Sequence, residues 1–138
     1  MSFKANTIWV DGFRNILDND RGHSVVVDEP IEDDGQNAGA SPLELAVMSL
    51  GGCMSIIFRL IAQKRRLHYT QFTMSTEAEM PKGALTISKL VVNAEVVTDA
   101  PEEAAQLVFS KTLQNCPVGV LFERAGVQIS TNLTVKRG

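Results

Sequence analysis

Two cysteines are the residues of this sequence best suited to covalent chemistry. Cys53 lies in the middle of a long apolar segment, and Cys116 follows 63 positions later in the run Asn115-Cys116-Pro117. A thiolate is a nucleophile, a metal ligand and a reversible redox group, whereas most buried thiols behave as small hydrophobes. The pair therefore indicates a redox or nucleophilic site, a metal site, or two residues of the core.

The residues next to Cys116 favour a reactive thiol more strongly than those next to Cys53 do. Proline is typical of the first position of a helix, so Pro117 predicts that Cys116 lies at a helix N-terminus. The helix dipole and the free N–H groups lower a thiol pKa at such a position. Cys53 has no comparable local feature. By pKa alone, Cys116 would be the attacking residue.

Two histidines supply the other candidate ligands or bases. His23 and His68 would make a four-ligand set with the cysteines, but no two of these residues have the short spacing that zinc sites use. A Cys–His hydrolase would need the fold to bring one histidine to a thiol. The plainer interpretation is a surface residue at a strand start for His23 and a cation at a helix end for His68. We therefore expect no metal and no other cofactor.

The segment that must position Cys53 runs from Ser41 to Arg66 and is predicted to be one long helix. Ser41 begins it, Pro42 takes the first position, and Glu44 completes a capping box. Basic residues end it, where the helix dipole favours positive charge. Nearly every face is apolar, which predicts a central helix covered on all sides by sheet and by a second subunit.

A membrane span is the alternative interpretation of this helix. Its length is sufficient, but Glu44, Arg59 and the Gly51-Gly52 pair make it a poor span. The two glycines also cost helix stability, which favours close approach of another backbone or a ligand at that turn. We therefore expect a protein that does not enter a membrane.

The rest of the chain alternates between strand and helix patterns. Strands are predicted over residues 4–10, 13–17, 23–28, 69–80, 85–98 and 127–136, and shorter helices from Pro101 and Val118. In the strand over 85–98 the inward-facing residues change from Leu85 and Ile87 to Leu90, Val92, Ala94 and Val96, which predicts a bulge or bend near Lys89. The order β-β-β-α-β-β-α-α-β over residues 1–138 predicts a single α+β domain with largely antiparallel pairing.

Composition limits the class of protein. An apolar content of 44% and a charged content of 21% are typical of a globular protein. The net charge of −3 and the absence of a basic cluster beyond the helix end argue against a nucleic-acid partner. No signal peptide or lipidation motif is recognisable, so we expect a cytoplasmic protein whose cysteines do not form a structural disulfide.

Two motifs carry a family resemblance. SPLELAVMSLGGC, which ends at Cys53, and CPVGVLFERAG, which begins at Cys116, resemble the OsmC/Ohr family of thiol-dependent hydroperoxide reductases. The resemblance covers nearly the whole chain. It implies the OsmC-like fold, an intertwined homodimer in which largely antiparallel sheets wrap around long central helices and the active sites lie at the subunit interface.

The resemblance also implies roles for the two thiols. Cys53 would attack the peroxide oxygen and become a sulfenic acid. Cys116 would resolve it as a disulfide, which a dithiol such as a lipoyl group would reduce. The apolar surroundings of Cys53 favour organic peroxides over hydrogen peroxide.

The sequence departs from the hydroperoxide-reductase branch at two positions. That branch has Glu directly after the proline of the helix start, where this chain has Leu43. Glu44 follows, nine residues before Cys53 and therefore on the opposite face of a regular helix. The branch also has an arginine in its first hairpin, for which Arg14 and Arg21 are candidates. We retain Glu44 and Arg14 as candidate catalytic residues, with the capping box and a solvated hairpin charge as structural alternatives.

These observations predict a homodimeric thiol peroxidase whose partners are a hydroperoxide substrate and a dithiol reductant. The alternative is a non-catalytic OsmC-like protein that binds an apolar small molecule at the dimer interface. A bridging metal site at the same interface is a third hypothesis. The distance between the Cys53 and Cys116 sulfurs distinguishes the first two.

Overall fold

The computed structural model describes residues 1–138, which divide into two compact units, Met1–Ala46 and Val47–Gly138. The elements are, in chain order, β1 (Asn6–Asp11), β2 (Arg14–Asp18), β3 (Ser24–Val27), a short 3₁₀ helix (Ile31–Asp33), α1 (Pro42–Lys64), β4 (Gln71–Glu79), β5 (Lys89–Val97), α2 (Glu102–Gln114), α3 (Pro117–Arg124) and β6 (Gln128–Lys136). The α+β class and the predicted order of strands and long helices are confirmed. The assignment of the whole chain to a single domain stays a prediction.

The first unit contains an antiparallel sheet in the order β1-β2-β3. Its register pairs Ile8 with Ile16 and Ile16 with Val26. Strand β1 is exposed along its whole length, and neighbouring side chains point to opposite faces of a strand. Ile8 and Trp9, which are 58% and 67% exposed, therefore leave apolar surface on both faces of β1.

Asp28 organises the loop that leads from β3 into α1. Its buried carboxylate accepts hydrogen bonds from the backbone N–H groups of Glu29 at 2.8 Å, Gln36 at 3.3 Å and Ala38 at 3.1 Å. The bond from Ala38 is the largest cause of a lowered pKa at Asp28, and it outweighs the opposing effect of burial. No sequence pattern marked this carboxylate as the centre of the loop.

Helix α1 begins and ends in recognised capping geometries. The N–H of Ser41 donates to Glu44 Oε1 at 3.0 Å, and the N–H of Glu44 donates to Ser41 Oγ at 3.3 Å, which confirms the capping box. At the other end the N–H of Leu67 donates to the Ala62 carbonyl at 2.9 Å, while Arg66 takes a left-handed conformation with φ of 56°. This is a Schellman-type ending with arginine where glycine is usual.

Within one chain, α1 is buried along one face only. Leu50, Met54, Phe58 and Ala62 have no exposed surface, and the Phe58 ring stacks on Phe72 of β4 with 4.3 Å between ring centroids. The expectation that every face is covered is not met by a single copy, because four large apolar residues of this helix remain exposed: Leu43, Met48, Ile56 and Leu60. By length and composition alone α1 could cross a membrane, and core helices pass the same test.

The second unit contains a sheet in the order β4-β5-β6, antiparallel between β4 and β5 and parallel between β5 and β6. The predicted inward residues of β5 are all buried: Leu90, Val92, Ala94 and Val96. The prediction of a strand from Leu85 was wrong, because β5 begins at Lys89 and Leu85 is fully exposed. The change of parity marks the start of the strand and not a bulge within it.

We expect Asp28→Asn to loosen the loop between Glu29 and Ala40. The amide would present N–H₂ to backbone donors that now meet a carboxylate oxygen, so the Gln36 and Ala38 amide protons should exchange faster with solvent. Because the folded-state pKa of Asp28 is lowered, its stabilising contribution is present at neutral pH. This contribution begins to decrease when the pH drops below the unfolded-state pKa of about 3.9. It is lost as the pH passes through the lower folded-state pKa.

NMR-detected hydrogen exchange measures this effect as the protection factors of the Gln36 and Ala38 amides. Asp33→Asn is the matched control, since it removes an exposed carboxylate from the same loop. Equal protection of Gln36 and Ala38 in Asp28→Asn and the parent protein at neutral pH would contradict the prediction.

Candidate functional site

The structure brings the two cysteines together inside the second unit. Cys53 lies midway along α1, and Cys116 is the N-cap residue of α3, directly after the end of α2. Both thiols are free, and the Cys53 side chain is close enough to Cys116 to raise the pKa of the Cys116 thiol. Cys116 has no exposed surface, whereas Cys53 is partly exposed. Two free thiols that interact in this way can be joined by oxidation to a disulfide.

The start of α3 holds the Cys116 sulfur in place. Pro117 occupies the first turn, as predicted, and the N–H of Gly119 donates to Cys116 Sγ at 3.4 Å. A Cβ atom at Gly119 would lie 3.0 Å from Leu113 Cδ1 and 3.6 Å from Cys116 Sγ. Glycine therefore avoids a tight contact with Leu113 at this buried position. No sequence pattern marked Gly119, although its place three residues after an N-cap cysteine is a usable signal.

The electrostatic environment of Cys116 opposes ionisation. Burial, and then the hydrogen bond with Cys53, raise the pKa of Cys116 to about 11. The N–H groups of Gly119 and Val118 lower it, but by less. The prediction that the helix N-terminus makes this thiol unusually acidic was therefore wrong, because desolvation of the thiolate outweighs the helix. Cys116 is protonated at neutral pH and can donate a hydrogen bond to the Cys53 sulfur.

The side of α1 beside Cys53 is apolar and partly open. Gly52 is exposed, and a Cβ atom there would meet no other atom within 4 Å. At Gly51 the nearest atom would be Met74 Cε, at 3.8 Å. The close approach predicted for this glycine pair is therefore not made by the chain itself. Ile56, one turn after Cys53, is 65% exposed and adds apolar surface next to the thiol.

The candidate charges Arg14 and Glu44 both lie in the first unit, Met1–Ala46, and each has a structural partner there. Arg14 Nη1 donates to Gln36 Oε1 at 3.1 Å, and its charge contributes to the lowered pKa of Asp28. The capping box engages Glu44, and the hydrogen bond from the Ser41 backbone is the main cause of its lowered pKa. Catalytic roles for Arg14 and Glu44 stay predictions.

Neither histidine belongs to an arrangement of side chains that could hold a metal ion. His23 Nδ1 is 3.0 Å from Asn19 Nδ2, and His68 is exposed just after α1. No group of three or more His, Cys, Asp or Glu side chains is arranged to hold a metal ion. The chemistry that this arrangement can perform is thiol chemistry between Cys53 and Cys116.

Iodoacetamide should alkylate Cys53 of the native protein well before Cys116. Cys116 is buried and mostly protonated until the pH approaches about 11. Cys53→Ala removes the hydrogen bond and the charge that help to raise the Cys116 pKa, so the pH midpoint for alkylation of Cys116 should fall. It should remain above the free-cysteine value of about 8.5, because burial persists.

Mass spectrometry of the alkylated peptides across a pH series gives the midpoint for alkylation of Cys116 in the parent protein and in Cys53→Ala. Leu121→Ala, at an exposed position of α3, is the control that should leave the Cys116 midpoint unchanged. A Cys116 midpoint that does not move in Cys53→Ala would mean that the two thiols are not in contact.

Comparison with known proteins places this site in a family. No curated protein sequence matches the chain. The solved structures that it resembles include an OsmC-like protein from Mycoplasma pneumoniae, with a TM-score of 0.87, 13% identity, and coverage of 99% of this chain and 98% of that one. An organic hydroperoxide resistance protein OsmC from Legionella pneumophila has a TM-score of 0.72 and 16% identity over 99% and 97% of the two chains.

A third similar structure is an organic hydroperoxide resistance protein from Elizabethkingia anophelis, with a TM-score of 0.74 and 19% identity over 100% and 97% of the chains. At these identities the likeness establishes the fold. The sequence model for the OsmC-like proteins matches residues 35–132, which include both cysteines and most of the chain. This protein therefore belongs to the OsmC-like family.

Proposed function

We propose that this protein is a cytoplasmic, thiol-dependent peroxidase that reduces organic hydroperoxides through Cys53 and Cys116. The observation that carries the proposal is the contact between the two thiols, which come from α1 and from the α2–α3 junction, 63 positions apart. Cysteines that serve only as apolar packing residues do not need to lie next to each other. The names of the Legionella and Elizabethkingia proteins, which refer to organic hydroperoxide resistance, support the substrate class.

The proposed cycle begins at Cys53. Its thiolate attacks one peroxide oxygen, the O–O bond breaks, and the leaving alkoxide takes a proton to become an alcohol. Cys53 is then a sulfenic acid. The sulfur of Cys116 attacks the Cys53 sulfur, and the sulfenic hydroxyl leaves with the Cys116 proton as water. Two electrons from a dithiol, of which a lipoyl group is one example, return the disulfide to two thiols.

The protonated state of Cys116 suits it to the second step and not to the first. A thiol with a pKa of about 11 provides very little thiolate at neutral pH, so it competes poorly for the peroxide. Its sulfur is nevertheless held beside Cys53, where proximity replaces intrinsic reactivity. This division of roles agrees with the one that the family resemblance implies.

The surface beside Cys53 supports an alkyl hydroperoxide as the substrate. Gly52 leaves open space, and Ile56 provides an exposed apolar side chain one helical turn from the thiol. An alkyl tail would gain by covering this surface, at about 25 cal/mol per Å² of apolar area removed from water. Hydrogen peroxide has no tail to gain this energy.

Arg14 and Glu44 enter the proposal as candidate supporting charges. Glu44→Gln preserves an acceptor for the Ser41 N–H and so keeps the helix cap. A slower reaction in Glu44→Gln at unchanged stability would therefore assign Glu44 to catalysis. An unchanged rate would assign it to the cap alone.

Replacement of each cysteine by serine tests the cycle. Cys53→Ser should abolish consumption of an alkyl hydroperoxide in the presence of a dithiol. Cys116→Ser should still form a sulfenic acid on Cys53, consume about one equivalent of peroxide in the absence of added thiol, and be labelled there by dimedone. Peroxide loss and mass spectrometry are the two measurements.

Other outcomes have definite meanings. A dimedone label on Cys116 in the Cys53→Ser protein would reverse the two roles. If neither variant affects peroxide consumption, the peroxidase proposal fails, and the alternative of an OsmC-like protein that binds an apolar small molecule replaces it. The exposed apolar stripe of α1 is the feature that would then require explanation.

The active form is proposed to be a homodimer. The apolar stripe of α1, made of Met48, Ile56 and Leu60, is 61%, 65% and 47% exposed, and both faces of β1 carry exposed apolar residues. Exposed apolar surface of this kind usually marks an interaction site. A second copy of the chain would cover part of this surface and complete the site around Cys53.

Light scattering coupled to size-exclusion chromatography tests the dimer. The parent protein should have roughly twice the chain mass of 15.0 kDa. Leu60→Lys should shift it toward the monomer, because a charge would be buried against the partner. Leu107→Lys, at a similarly exposed position of α2, is the matched control and should leave the mass unchanged. A folded parent protein at the monomer mass would contradict the proposal.

A further inference from the structure

The two sulfurs of the site differ in their access to solvent. Cys53 is partly exposed on α1, whereas Cys116 has no exposed surface. The first turn of α3 also contacts the Cys116 sulfur, which accepts a hydrogen bond from the Gly119 N–H at 3.4 Å. Any reagent that approaches the pair from solvent meets Cys53 first.

This difference determines which sulfur of a Cys53–Cys116 disulfide a reductant can reach. Thiol–disulfide exchange requires a thiolate to approach one sulfur, and its rate depends on access to that sulfur. We infer that, in the cycle proposed above on which this inference depends, the incoming thiolate attacks Cys53 Sγ and Cys116 is the leaving group. The structure thus assigns a direction to the reductive half of the cycle.

The electrons and protons of this step balance with a dithiol as the reductant. The first thiolate of the dithiol forms a new S–S bond to Cys53, the bond between Cys53 and Cys116 breaks, and its electron pair goes to Cys116. The second thiolate of the dithiol then attacks the first sulfur of the dithiol, which is bonded to Cys53 in the mixed disulfide. Cys53 leaves as a thiolate, and the reductant is released as an internal disulfide.

The start of α3 is built to receive the charge on Cys116. The N–H of Gly119 already donates to Cys116 Sγ in the thiol form, and the N–H of Val118 also favours the thiolate. Burial, the largest cause of the raised pKa of Cys116, persists in the mixed disulfide, so the released thiolate takes up a proton at neutral pH. Protonation removes it as a competing nucleophile while the dithiol completes the second exchange.

Peptide mapping after a brief exchange with a monothiol tests the direction. The parent protein is oxidised with diamide, and loss of two thiols confirms the Cys53–Cys116 disulfide. Glutathione is then added briefly, and the reaction is quenched with acid and N-ethylmaleimide under denaturing conditions. Glutathione should be found on Cys53 and N-ethylmaleimide on Cys116, with roughly tenfold or greater preference. The same exchange in urea is the control, and there the preference should be lost because both sulfurs are exposed.

Glutathione mainly on Cys116, or equally on both cysteines in the folded protein, would overturn the inference, as would failure of diamide to link the two residues. Because diamide and not a peroxide makes the disulfide, the result is independent of peroxidase activity. Label on Cys116 in a protein that consumes hydroperoxide would overturn this inference alone. Label on Cys53 in a protein that consumes none would support the direction of exchange while the proposed function fails.

Discussion

The packing of α1 against the sheet of β4, β5 and β6 is the interaction on which the candidate site depends. Leu50, Met54 and Phe58 are fully buried, and burial of each such side chain contributes about 1.5–3 kcal/mol. These residues set the rotation of the helix about its axis. Cys53 is adjacent to Met54 in the chain, so the same rotation brings its thiol to Cys116. A core change that turned α1 would separate the sulfurs even with both cysteines present.

Two effects compete at Cys116, and their balance decides what this thiol can do. The N-terminus of α3 stabilises a thiolate through the Gly119 and Val118 N–H groups, whereas burial removes the water that would stabilise it further. Burial is the larger effect. The result is a protonated sulfur held at short range from Cys53, which is useful for closing a disulfide and poor for intercepting a peroxide. Position near a partner, and not acidity, gives Cys116 its proposed role.

In the proposed dimer, assembly and access to Cys53 would both depend on the apolar stripe of α1. The same helix presents one face to its own core and another, with Met48, Ile56 and Leu60, to the outside. In the proposed dimer a second copy covers part of this outer face, and the space that remains beside Gly52 and Cys53 becomes the entrance for substrate and reductant. The shape of that entrance would then be a property of two chains.

Local patterns in the sequence were sufficient to predict the capping box at Ser41, the inward residues of β5 and the place of Cys116 at the start of α3, because each depends on neighbours within a few residues. They were insufficient for the contact between Cys53 and Cys116, the carboxylate of Asp28 beneath its loop, and the raised pKa of Cys116. These depend on which distant segments exclude water from a group. Only the tertiary structure decides that, since desolvation and hydrogen bonding act across space and not along the chain.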